Sequence, residues 1–168
     1  FGNISELSDP LLIKLDTVLP TITILSNFAE LKAGETAAIT FTLSEESTDF
    51  TEESISVSGG VLTDFTGSGA SYTATFTPSE NSTASGLISV TGDKFTDAAG
   101  NDNTAGSLTL AVDTTEPTIS ITSSDSELKA GETATITFTL SEESTDFDVN
   151  DISVSGGSID NFTAVSAT

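Results

Sequence analysis

The side chains of this 168-residue chain that could do chemistry are almost all carboxylates. There are 26 Asp and Glu against four Lys and Arg, which gives a formal net charge of -22, and there is no His and no Cys. A Ser-His-Asp triad, a thiolate site and a disulfide framework are therefore excluded. Phosphate binding needs clustered Lys and Arg, so most nucleic-acid roles are excluded and we predict no nucleic-acid partner.

So acidic a chain is disordered, adapted to salt, or a binder of hard cations that offset its self-repulsion. Disorder is disfavoured because Val, Ile, Leu and Phe recur at regular spacing. Calcium takes roughly six to eight oxygen ligands in flexible geometry and suits clustered carboxylates better than magnesium does. We therefore predict calcium as the cofactor. The candidate ligands are Asp16, Glu45, Asp49, Asp93, Asp97 and Asn101, followed by Asp113, Glu142, Asp146, Asp148 and Asp151.

A solvated, salt-tolerant surface is the alternative interpretation of these acidic loops. Aspartates that recur in linkers, at Asp16 and Asp113, favour ligation, because surface charge alone would not need one there. Adjacent acids such as Glu45 and Glu46 suggest a glycosidase pair only weakly, since nothing in the sequence marks one of them as a proton donor. We predict that the chain is not an enzyme.

Strands are the elements that would position these carboxylates, because apolar residues alternate with Ser and Thr along most of the chain. In "AAITFTLS", for example, Ile39, Phe41 and Leu43 share one face. About seven strands per hundred residues are typical of an immunoglobulin-like β-sandwich, in which the incoming linker and the loops after the second and sixth strands meet at one end. The fold class predicted is therefore all-β. The predicted strands are 20–25, 36–43, 54–58, 61–66, 70–77, 86–91 and 107–112.

The chain repeats itself with a period of 97 residues. The segment "ELKAGETAAITFTLSEESTDF" returns with a single change, and "DTVLPTITI" returns as "DTTEPTISI". A long fixed period indicates an array of similar domains. We predict the last strand of a preceding repeat in residues 1–15, a complete immunoglobulin-like repeat in 16–112, and a truncated repeat with the first four strands in 113–168.

The combination of "DTTEPTISI", "LKAGETATITFTLSE" and "GDKFTDAAGN" resembles the bacterial immunoglobulin-like repeats of very large secreted surface adhesins, often of the repeats-in-toxin type. The resemblance covers essentially the whole chain. It implies an extracellular spacer on the bacterial cell surface, rigidified by calcium at its domain joints, whose partners are neighbouring repeats of the same chain. The glycine-rich nonapeptide of repeats-in-toxin proteins is absent from this sequence.

Two other functions use domains of this kind. Such domains also decorate phage virions and extracellular filaments, where other copies of the chain would complete the second repeat. A carbohydrate-binding module would normally expose aromatic rings, whereas this chain has one Tyr and no Trp. No run of about eighteen apolar residues occurs, so membrane insertion is not expected. The number of repeats in the full-length gene separates the adhesin from the virion.

Overall fold

The computed structural model describes residues 15–166 and divides the chain into two units, Phe1–Thr115 and Glu116–Thr168. The strand predicted within residues 1–15 therefore lies almost wholly outside the described residues. The all-β prediction is confirmed, since the described residues form strands and two short 3-10 turns, Glu52–Ser54 and Val149–Asp151.

The first unit is a sandwich of two sheets built from seven strands. These are β1 (Ile22–Ser26), β2 (Glu30–Lys32), β3 (Ala37–Ser47), β4 (Ser56–Ser58), β5 (Gly60–Pro78), β6 (Gly86–Val90) and β7 (Gly106–Asp113). One sheet has the strand order β1-β3-β5 and the other has the order β2-β7-β6-β4. Neighbouring strands are antiparallel, except that β2 runs parallel to β7.

Residues from both sheets share one apolar core, as the alternating pattern predicts. Ile39 and Phe41 of β3, Ile88 of β6 and Leu110 of β7 are all buried in it. The ring of Phe50 lies at its centre, with four aromatic rings at centroid distances of 5.0 to 5.9 Å. These neighbours are Phe41, Phe65, Tyr72 and Phe95. A core of close-packed rings fixes the base of the loops that carry the acidic residues.

Two strand predictions differ from the structure in an instructive way. The predicted strands 61–66 and 70–77 are the two arms of β5, which folds back on itself so that Gly60 lies against Thr77 and Gly67 against Ser71. Gly69 has a φ of +64° at the tip, a left-handed conformation that favours glycine.

The short strand β2 is absent from the sequence prediction. It pairs in parallel with β7, placing Leu31 opposite Val112, and Leu31 is fully buried. A three-residue strand is too short to show alternation, and its partner lies about 80 positions away in the sequence. After β1 the chain crosses to the second sheet to form β2, and it returns to the first sheet for β3.

The described part of the second unit, residues 116–166, contains one pair of strands. These are β8 (Ile119–Ser123) and β9 (Ile136–Leu140), and they pair in the same register as β1 and β3. The third and fourth strands predicted for residues 113–168 do not form among the described residues. Their equivalents in the first unit are β4, which pairs with β6, and the first arm of β5, which packs against its second arm. Within residues 15–166, the second unit has no strand equivalent to β6 or to that second arm with which these segments could pair.

The missing partners also change burial. Ile24 is 5% exposed in the first unit, whereas its counterpart Ile121 is 61% exposed. The same residue type at the same position of the repeat therefore reaches different burial, because burial depends on the opposite sheet.

Candidate metal centre

Three carboxylates from distant parts of the first unit converge. Asp16 precedes β1, Glu45 lies near the end of β3 and Asp97 lies in the loop between β6 and β7. One oxygen of each lies within 4.8 Å of the others, which is close enough for all three to contact a single cation. Among residues 15–166, this is the group of acids that comes together in this way. The sequence analysis named all three.

Local structure aims Asp16 and Glu45 at this point. An Asp16 carboxylate oxygen accepts a hydrogen bond from the amide of Val18 at 3.1 Å, which turns the linker towards β1. The pairing of β3 with β5 shifts register between Thr42 and Ser47, so the end of β3 bends where Glu45 lies. Irregularities of this kind commonly re-aim side chains at the rim of a sheet.

Hydrogen bonds hold Asp97 in place before any cation binds. Oδ1 accepts from the amides of Ala99 and Asn101 at 2.8 and 2.9 Å, and Oδ2 accepts from the Asn101 side-chain amide at 2.8 Å. Asp97 is only 7% exposed. The hydrogen bond from the Asn101 side chain, helped by backbone amides, lowers the pKa of the Asp97 carboxyl. The group is therefore ionised and oriented at neutral pH.

Asn101 also links the acidic loop to the linker. Its side-chain nitrogen lies 3.4 Å from the backbone oxygen of Asp16, at the long end of hydrogen-bond distance. Because Nδ2 donates in these contacts, Asn101 acts in this structure as a support for Asp16 and Asp97. The sequence analysis named it as a ligand, a role that its Oδ1 atom would have to supply.

Asn103 organises the same loop and was missed by the sequence analysis. Oδ1 accepts from the amides of Lys94 and Phe95, at 2.7 and 2.9 Å, and Nδ2 donates to the backbone oxygens of Thr91 and Thr104. The side chain thus satisfies four backbone groups inside the loop and is itself buried. The internal repeat could not reveal it, because its counterpart would fall beyond Thr168.

Asp49 does not join the group of three. Its Oδ1 accepts from the Ser47 hydroxyl at 2.6 Å and from the Thr96 amide at 3.0 Å, and its Oδ2 accepts from the Thr96 hydroxyl at 3.0 Å. The Ser47 hydroxyl, followed by the Thr96 amide, lowers the pKa of the Asp49 carboxyl. The contacts tie the loop after β3 to the loop after β6. Asp49 thus connects two loops beside the site, and its ligation of a cation remains a prediction.

The other candidate residues are placed as follows. Asp93 is exposed, has a φ of +62°, and its amide donates to the backbone oxygen of Asn103. Asp113 accepts from the amide of Thr115 at 3.2 Å. Asp146 accepts from the hydroxyl of Ser144, as Asp49 does from Ser47.

Asp148 and Asp151 cap the 3-10 turn Val149–Asp151, and Glu142 is partly exposed. Asp148 accepts from the amide of Asn150, and Asp151 accepts from the amide of Asp148. No group of three acids gathers among the described residues of the second unit. The counterpart of Asp97 there would fall beyond Thr168.

The donor set fits a hard cation. Every converging group is a carboxylate oxygen, and Asp97 is buried, oriented and ionised. Calcium and magnesium both prefer oxygen ligands, and calcium accepts the irregular arrangement of linker, strand and loop residues more readily. These residues would hold the ion, and a divalent ion would offset two of the three adjacent negative charges.

Comparisons with known proteins agree with the two-sheet architecture. A family profile described as bacterial Ig-like domain matches residues 16–112 and again 113–168. The chain therefore belongs to the bacterial Ig-like domain family and is a tandem structural repeat. Searches of curated proteins and of solved structures gave no match. No helix within residues 15–166 is long and apolar enough to cross a membrane.

Proposed function

We propose that the chain is an extracellular spacer of a bacterial cell-surface adhesin, and that calcium stiffens the joints between its repeats. The observation that carries the proposal is the convergence of the linker residue Asp16 with Glu45 and Asp97. One carboxylate oxygen of each residue lies within 4.8 Å of those of the other two. Carboxylate charges this close repel one another. A divalent cation reverses that repulsion and joins the linker to the domain.

The internal repeat provides equivalent acidic residues at the start of the second copy. Asp113 occupies the position of Asp16 one period later, and Glu142 occupies that of Glu45. In an array, each domain would thus take its incoming linker aspartate into its own acidic loops. Neighbouring repeats of the same chain are the partners that this arrangement requires, and no enzymatic step is needed for it.

The calcium part is tested by thermal unfolding of the 168-residue chain in chelator and in a calcium series. Extracellular modules bind calcium with Kd values of about 10⁻⁴–10⁻³ M. A hundredfold excess over Kd stabilises the folded state by about 2.7 kcal/mol, which raises Tm on the order of 10 °C in a domain of this size. Magnesium should produce a smaller rise, because it gives up its water ligands reluctantly.

Three substitutions identify the ligands: Asp16→Asn, Glu45→Gln and Asp97→Asn. Each should reduce the calcium-induced rise in Tm. Glu46→Gln is the matched control, since it removes one charge from the neighbouring, exposed position of the same segment. Equal loss in all four variants would mean that the ion responds only to net charge, and an unchanged Tm in calcium would leave the acids as solvated surface.

The adhesin part needs a cellular measurement. Antibodies raised against the chain should label intact cells of the bacterium that makes it, and surface digestion with protease should release the signal. Deletion of the gene should reduce attachment of the cells. Labelling of phage particles instead of cell surfaces would identify the virion alternative.

A further inference from the structure

The residue that follows β7 is fixed to the first unit by side-chain contacts. Thr114 is 5% exposed, although it lies at the very start of the second copy of the repeat, residues 113–168. Its hydroxyl donates to the backbone oxygen of Ser79 at 2.7 Å and accepts from the amide of Ser82 at 3.0 Å. Its own amide donates to the backbone oxygen of Ser82 at 2.9 Å. The turn between β5 and β6 therefore forms a socket for this threonine.

The residues on either side of Thr114 have no such socket. Asp113 is the last residue of β7 and its backbone position pairs with Lys32, but its side chain is exposed and accepts from the amide of Thr115. Thr115 is itself exposed. The fixation is thus specific to one side chain of the linker. The buried Thr114 hydroxyl both donates and accepts a hydrogen bond, whereas Val at this position would leave the Ser82 amide without its side-chain partner.

The same dipeptide stands at the other end of the unit. Asp16 and Thr17 precede β1 as Asp113 and Thr114 precede β8. At that end Asp16 joins the acidic group of the first unit, while Thr17 is exposed. One domain therefore holds the aspartate of the linker that enters it and the threonine of the linker that leaves it.

We propose that each Asp-Thr linker is fixed by two successive side chains to two different domains. The threonine enters the turn between the fifth and sixth strands of the preceding repeat, and the aspartate joins the acidic loops of the following repeat. The partner surface for Thr17 is consequently a Ser79–Ser82-type turn on another copy of the repeat placed before it. The aspartate half rests on the proposed function, whereas the threonine half needs no cation.

The threonine half is tested on the 168-residue chain in chelator, by amide hydrogen exchange and by NMR relaxation. Thr114→Val keeps the shape and removes the hydroxyl, Thr114→Ser keeps the hydroxyl, and Thr115→Val is the control at the adjacent exposed position. Thr114→Val should speed exchange of the Ser82 amide about tenfold, as expected for the loss of roughly 1.4 kcal/mol of local stability. It should also lower the order parameter of the residue 114 amide from about 0.85 towards 0.6.

Thr114→Ser and Thr115→Val should leave both readings close to those of the unchanged chain. The proposal is overturned if Thr114→Val behaves like Thr115→Val, or if the Thr114 amide is already mobile in the unchanged chain. Exchange of the Phe41 amide reports on global unfolding. An equal acceleration of exchange there would also contradict a stabilisation by Thr114 that is local to the turn between β5 and β6. Calcium enters none of these measurements, so their outcome is independent of the metal site.

Discussion

Gly60 lies so close to Phe76 that a Cβ atom built on it would come within 2.6 Å of the ring carbon Cζ. The two residues belong to opposite arms of β5, and the contact lets the arms close against the core. Gly157 is the counterpart of Gly60 in the second copy, and a Cβ built there meets nothing within 4 Å. One sequence position thus has two environments in a single molecule.

We therefore predict that Gly60→Ala destabilises the first unit by about 1–3 kcal/mol, because the ring and the neighbouring backbone must move. Gly157→Ala, at the matched position, should change the free energy of unfolding by less than about 0.5 kcal/mol. Chemical denaturation of both variants measures the difference. Equal effects would show that the clash at Gly60 is relieved at no cost.

A second prediction concerns the aromatic core. Phe50 contacts the rings of Phe41, Phe65, Tyr72 and Phe95, whereas its counterpart Phe147 is partly exposed and contacts two rings. Phe50→Leu should cost about 1–2 kcal/mol of stability, since the neighbouring rings cannot close around the smaller side chain. Phe147→Leu should cost clearly less. Denaturant midpoints would contradict the prediction if the order were reversed.

A third prediction distinguishes two roles of Asp49, which are hydrogen bonding between two loops and ligation of a cation. Asp49→Asn should weaken the hydrogen bonds to Ser47 and Thr96 and lower Tm by roughly 4 °C, in calcium and in chelator alike. The control is Asp146→Asn, because Asp146 contacts the hydroxyl of Ser144 but lacks a counterpart of Thr96. Loss of the calcium response in Asp49→Asn would instead make Asp49 a ligand.

The fourth prediction is a dependence on pH. The Asp49 carboxyl has a lowered pKa in the folded state, so the stability it contributes is fully present above its ordinary value of 3.8 and is lost as the pH falls through the folded value. In chelator, the Tm difference between the unchanged chain and Asp49→Asn should stay constant from about pH 7 to pH 5 and shrink below about pH 4. Acid also relieves the repulsion of the acidic surface, but that effect is shared by both proteins and largely cancels in the difference. A difference that persists to about pH 2 would contradict the assignment.

The sequence alone predicted the parts of the structure that depend on local pattern. The alternation in β3 places Ile39 and Phe41 in the core, and the repeated sequence reproduces local hydrogen bonds. The Thr21 amide donates to the Ser44 hydroxyl at 2.9 Å, and 97 residues later the Thr118 amide donates to the Ser141 hydroxyl at the same distance. Such contacts need only two neighbouring strands, and both copies provide them.

The sequence could not predict what depends on distant partners. Alternation does not reveal that β2 pairs with β7, or that Asp49 reaches Thr96 across 47 positions. The sequence did point to the three carboxylates of the candidate site, Asp16, Glu45 and Asp97, because the linker and the loops after the second and sixth strands meet in any sandwich of this topology. Thr114 was overlooked even though the threonine recurs at both linkers, because an isolated hydroxyl carries little chemical signal in a chain rich in Ser and Thr.

The parallel pairing of β2 with β7 has a mechanical consequence. Tension applied to the two ends of the first unit would draw β2 towards its start and β7 towards its finish, so the two strands would slide along each other. The load would then act in shear on all three residue pairs at once, and the pairs would not separate one after another. These pairs are Glu30–Ala111, Leu31–Val112 and Lys32–Asp113. If the chain is the spacer proposed above, its resistance to extension would arise at these three residue pairs, next to the end of β7.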